Sequence, residues 1–106
     1  MAWIYLTIAG IFEVMWAFSM KQSDGFTRPG PTAITIVAMI VSFALLALSM
    51  KSLPLGTAYT IWTGIGAVGA FLVGIFVLGE QANAMRIAAA LLIVSGLILM
   101  KLSSPA

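Results

Sequence analysis

The stretch Trp3–Met20, WIYLTIAGIFEVMWAFSM, decides how the chain must be read. Apart from Glu13, its residues suit the hydrocarbon of a bilayer. It is also as long as a spanning helix, which needs roughly 17–25 mostly apolar residues. Three further runs share these properties: Thr32–Met50, Thr57–Leu78 and Ala84–Met100. Between them lie KQSDGFTRPGP, KSLPLG and GEQAN, which carry the turn and helix-ending residues Gly25, Pro29, Pro31, Pro54 and Gly79. The predicted fold is therefore all-α. It is an integral membrane protein with four transmembrane helices over about 3–20, 32–50, 57–78 and 84–100, forming one bundle domain across 1–106.

Composition supports this reading and excludes others. The 106 residues are 62% hydrophobic and only 8% charged, with a mean hydropathy of +1.16. Soluble domains carry about 25% charged residues, and a soluble chain of this size has no interior large enough for so much apolar surface. Trp3–Met20 lacks a basic leader and a small-residue cleavage site and contains Glu13, so it reads as a span rather than a signal peptide. There is no cysteine and no histidine, which removes thiol chemistry, a histidine base and a histidine metal site. No nucleophile–base pair or phosphate loop is present, so neither an enzyme nor a bound cofactor or metal is expected. Five basic residues at helix ends are too few for a nucleic-acid footprint.

The charges leave orientation open. Four spans put both termini and the second loop on one side, with Lys51 and Lys101, and the other two loops opposite, with Lys21, Arg28 and Arg86. Two against three is a weak bias under the positive-inside rule. A single orientation and a dual one, in which oppositely inserted copies pair as an antiparallel homodimer, both fit. Size favours self-association, because four helices barely surround a polar cavity. On the last span Ala89 and Gly96 lie on one face, small enough for close approach at a dimer seam or within the monomer.

Glu13 is the feature that demands a function. Ten residues of helix from Trp3 place it ~15 Å along the span, about half of a ~30 Å hydrocarbon core. An acid there costs roughly 2.5–3.5 kcal/mol, and intramembrane ionisable groups usually mark pathways for ions or substrates. A protonated Glu that merely joins helices is the alternative. Helical spacing puts Ala9, Gly10, Trp16 and Ala17 around it. Gly10 leaves space beside the carboxyl, and Trp16 brings an indole N–H that donates only. On the third span Tyr59, Trp62, Thr63 and Gly66 fall at i, i+3, i+4 and i+7. That stripe reads either as an interfacial aromatic belt or as a cation–π surface. Gly64 and Gly66 give the helix a place to bend. Ser42, the one mid-helix polar residue of the second span, either bonds to its own backbone or turns a hydroxyl towards Glu13.

GIFEVMWAF, KQSDGFTRPGP and LPLGTAYTIWTGIG together resemble the small multidrug resistance transporters over essentially the whole chain. Trp16 and Ser42 resemble that family's guanidinium-exporter subtype. The resemblance implies a multi-pass protein of the bacterial inner membrane that works as an antiparallel homodimer in lipid. It further implies exchange of protons for guanidinium ion and small substituted guanidinium cations, with both ligands bound at Glu13. Gly10, Trp16, Ser42, Tyr59, Trp62 and Thr63 would line the site and supply its hydrogen-bond network, Gly64 and Gly66 would form the helix kink, and Ala89 with Gly96 would form the dimer seam. Thr60 departs from the family pattern, which usually has alanine there. Its hydroxyl either bonds back to Gly56 or perturbs Tyr59 and broadens selectivity towards larger cations. A planar guanidinium engages a carboxylate through a rigid fork of donors, so cation and proton would compete for the same acid. A broad exporter of quaternary ammonium and aromatic cations is the alternative within transport. A small cation channel, with Glu13 at its constriction, and a packing protein without transport are the alternatives outside it.

Overall fold

A computed structural model of the chain describes residues 1–103. Four α-helices follow in order: α1 (Ala2–Gln22), α2 (Pro29–Ser49), α3 (Leu55–Phe76) and α4 (Ala84–Ser103). Their lengths of 20–22 residues correspond to about 30–33 Å at 1.5 Å per residue, enough to cross a hydrocarbon core of ~30 Å.

The ends follow from local chemistry. Pro29 and Pro31, expected in the connection, belong instead to the first turn of α2, where a missing N–H leaves no helical bond unmade. The α1–α2 turn is organised by buried Ser23. Its Oγ donates to the Met20 carbonyl (2.6 Å) and accepts the Phe26 N–H (3.0 Å). Asp24, Gly25 and Phe26 all take positive φ, at 49°, 71° and 67°. Pro54 precedes α3, which starts two residues earlier than the apolar run and ends at Phe76. Before α4, Asn83 Oδ1 accepts the Arg86 N–H at 2.9 Å, a side-chain cap for the first turn.

Packing departs from a closed bundle. α1 packs against both α2 and α3; α2 and α3 meet chiefly around Trp62, against Ser42 and Phe43; α4 packs mainly on α3, with the Lys101 Nζ 4.1 Å from the Trp3 ring of α1. The molecule is flattened, measuring 43 × 35 × 16 Å. In lipid there is no hydrophobic drive to bury more of the helix surface, and apolar residues face outwards along all four helices. The buried cluster sits where α1 crosses its neighbours: Leu6 and Ala9 of α1, Leu46 of α2, Ala58, Ile61 and Trp62 of α3, with Leu53 from the connection. α4 buries no residue at all.

Candidate functional site

Three successive contacts join α1 to α3, each between a glycine and a larger side chain. Ile65 lies on Gly10, the Glu13 carboxyl on Gly66, and Val14 on Gly69. A Cβ added at Gly66 would overlap Cδ and both oxygens of Glu13. Glycine at 66 therefore lets an acid and a backbone share the same space. Gly10, expected to leave room beside the carboxyl, is filled by Ile65. Gly64 points the other way, against Leu97 of α4, as two residues of helix rotate a position by about 200°.

Glu13 is half-buried, and its Oε1 is sealed from the surface without a hydrogen-bond partner. The Trp16 indole N–H is likewise buried and unpaired. The two do not bond to each other. A buried acceptor and a buried donor left unpaired are each costly.

Ser42 bonds neither to the backbone of its own helix nor to Glu13. It is fully buried, its Oγ donates to the Ala9 carbonyl of α1 (2.7 Å), and it accepts the Trp62 indole N–H of α3 (3.0 Å). One hydroxyl thus ties three helices, one turn from Glu13, and fixes the orientation of Trp62. The Trp62 ring continues an aromatic row. Tyr59 lies 5.6 Å from it, Phe43 5.7 Å on the other side, and Trp16 6.4 Å beyond Phe43 at a near-perpendicular 67°. Phe43 was not singled out from sequence. The signal for it was its place next to the only mid-helix hydroxyl of α2.

Thr63 and Thr60 are exposed on α3, as is Tyr59 at 53%. Thr7, Thr32 and Thr35 bond back to backbone carbonyls along the chain, whereas Thr60 makes no such bond to Gly56. On α4, Ala89 flanks a shallow groove with Val68 and Phe71 of α3, and Gly96 meets nothing within 4 Å. Among the described residues no group of three acidic, histidine or cysteine side chains could hold a metal.

The geometry is a midspan acid with a buried, unpaired oxygen, one turn from Trp16 at the end of a row of four aromatic rings, in a chain with four spanning helices. Residues 1–93 match the family model of the Small Multidrug Resistance protein. The chain belongs to the small multidrug resistance family. Within the family it is 61% identical to the guanidinium exporter of Escherichia coli (strain K12), over 98% of this chain and 99% of that one. It is 56% identical to the guanidinium exporters of Citrobacter freundii and Salmonella typhimurium over the same shares. These relatives are exporters, not enzymes. Family membership and four apolar spanning helices together make this a multi-pass protein of the inner membrane.

Proposed function

We propose that this small multidrug resistance protein exports guanidinium ion and small substituted guanidinium cations in exchange for protons. In this reading it works as an antiparallel homodimer in which both ligands compete for Glu13. The observation that carries the proposal is the Glu13 carboxyl, held at midspan on the bare backbone of Gly66 with Oε1 buried and unpaired. Relatives covering nearly the whole chain are named guanidinium exporters. A planar, delocalised cation suits this surrounding twice over. It bonds a carboxylate bidentately and stacks on aromatic faces, and the row from Trp16 to Tyr59 offers such faces.

A buried carboxylate without a partner must be neutralised. A proton or a cation does this equally, and occupancy by one excludes the other. A site that changes facing only when neutral then exchanges one ligand for the other. The shape of the protomer supports a dimer: Phe43 and Tyr59 of the aromatic row are exposed, and α4 buries no residue. A second, inverted copy would bring another Glu13 to the shared cavity and cover Ala89 and Gly96. Gly64 and Gly66, each occupied by a neighbour's side chain on opposite faces of α3, are where the helix would change its bend between facings.

Exposed Thr60, adjacent to Tyr59, favours a second reading, a site relaxed towards larger organic cations. Currents on solid-supported membranes carrying purified protein distinguish these readings when guanidinium, alkylguanidines and tetraalkylammonium ions are compared with and without a pH gradient. Replacing Glu13→Gln abolishes pH-driven guanidinium uptake into proteoliposomes. Coupled uptake that survives the substitution refutes the mechanism, and substrate current without proton counterflow would indicate a channel.

A further inference from the structure

A second carboxylate, Glu80, lies along the α1–α3 seam beyond Glu13, at the membrane-surface end of those helices. On α1, Glu13, Ala17 and Lys21 follow at i, i+4 and i+8 and so share a face. On α3, Gly66, Ala70 and Gly74 do the same. Eight residues carry each line about 12 Å, from the Glu13–Gly66 contact to the helix ends. Val14, seated on Gly69, closes the seam one step beyond Glu13. Past Val14 it widens into a cavity of about 210 Å³ among Ala17, Phe18, Lys21, Ala70, Gly74 and Glu80.

Glu80 reaches that cavity by a defined route. Gly79 turns the chain at φ +70°, and the Glu80 N–H then donates to the Gly74 carbonyl at 2.8 Å. The carboxyl comes to lie over Gly74, where an added Cβ would overlap it. A solvated loop acid needs none of this. The backbone turn, the bond back to Gly74 and the missing side chain at 74 together hold Glu80 over the mouth. Among the described residues no cation lies within ion-pair distance of it, and Lys21 lines the same cavity from α1.

We propose that Glu80 is an outer docking carboxylate for the transported organic monocation, at the surface end of the seam whose inner acid is Glu13. Lys21 is the tethered cation that competes with substrate there. The inference rests on the exchange reading above and assigns it a first binding step. A charge at the rim of a binding site acts mainly on encounter, and its effect is screened by salt.

Two measurements test it with guanidinium as the probe. In transport currents, Glu80→Gln raises the guanidinium KM about two- to fivefold at low salt, the range expected for one exposed charge pair. The effect falls on KM rather than on the maximal rate and disappears at high salt. Lys21→Gln shifts KM the opposite way. An unchanged KM in both variants overturns the proposal. The second measurement is amide NMR of the Glu13→Gln protein, whose inner site is disabled. Guanidinium still shifts the Gly74 and Glu80 amides there, and adding Glu80→Gln removes those shifts. Absence of the shifts, or their survival in the double variant, also overturns it. Because the NMR arm needs no turnover, failure of this proposal is distinguishable from failure of proton exchange, which the Glu13→Gln uptake assay reads alone.

Discussion

Removing the Ser42 hydroxyl provides the sharpest test of how the three helices are held around the site. Within α1 the Ala9 carbonyl already has the helical bond that α-geometry supplies from the residue four positions on, so in Ser42→Ala it keeps one partner. Trp62 keeps none. Its indole nitrogen only donates, its side chain is 7% exposed, and Ser42 Oγ is its acceptor. Leaving a buried donor unpaired costs roughly 1–3 kcal/mol, whereas hydrogen bonds between membrane helices average about 0.6 and reach about 1.7 kcal/mol. The expected destabilisation for Ser42→Ala is therefore about 1–2 kcal/mol. Trp62→Phe alone costs packing, but in the background of Ser42→Ala it also removes the stranded donor. The double-mutant cycle consequently isolates a coupling of about 0.6–1.7 kcal/mol. Equilibrium unfolding of the purified protein in mixed micelles measures all four corners. Additivity within about 0.3 kcal/mol, the range for independent sites, would refute the assigned bond. The same hydroxyl orients the centre of the aromatic row, so Ser42→Ala also weakens guanidinium binding, by up to about tenfold if the whole 1.4 kcal/mol is felt at the site.

Gly66→Ala places a methyl where the Glu13 carboxyl now lies. The displaced group is the end of a flexible side chain, so the protein still folds, with a retained size-exclusion profile, while guanidinium exchange falls at least tenfold. Wild-type currents from that variant would mean that the acid works from another position. Lowering pH on both sides of the membrane raises the apparent KM for guanidinium, because protons occupy the acid that the cation needs, and raising pH lowers it by at most about tenfold per unit for one competing proton. A KM independent of pH across the acid's titration range would exclude competition. Thr60→Ala reduces tetraalkylammonium currents relative to guanidinium currents, and an unchanged ratio would remove Thr60 from selectivity.

Much of the fold is legible because lipid simplifies the problem. A spanning helix must satisfy its own backbone, so apolar run length alone locates α1 to α4. The misreadings sit at the ends, where proline serves equally as a stop and as a first-turn residue. KQSDGFTRPGP contains both uses, and only the turn built on Ser23 determines that Pro29 begins α2. Lateral order was not readable, since nothing in a uniformly apolar helix says which neighbour it meets. Glu13 was legible from its cost. Its partner was not. Gly66 was seen as a point of bending, and its close approach to a carboxyl depends on the register between α1 and α3, which no spacing within either helix encodes.

The same limitation explains Ser42 and Phe43, and it bears on how the site works. Spacing rules relate residues within one helix, so they found Tyr59, Trp62 and Thr63 as a stripe. Thr63 is exposed in the protomer, and besides Tyr59 the partners of Trp62 come from α2. The row Trp16–Phe43–Trp62–Tyr59 draws one ring each from α1 and α2 and two from α3. A relative movement of any helix therefore changes the spacing between rings. Ser42 holds the centre of that row by bonds to both other helices. If α3 bends at Gly64–Gly66 as the facing changes, the fixed point lies at Trp62, on the N-terminal side of the bend, and the Glu13–Gly66 contact lies within it. Substrate affinity would then be set by a part of α3 that stays with α1 and α2. Release would be set by the part that moves, and the acid at Glu13 belongs to the boundary between them.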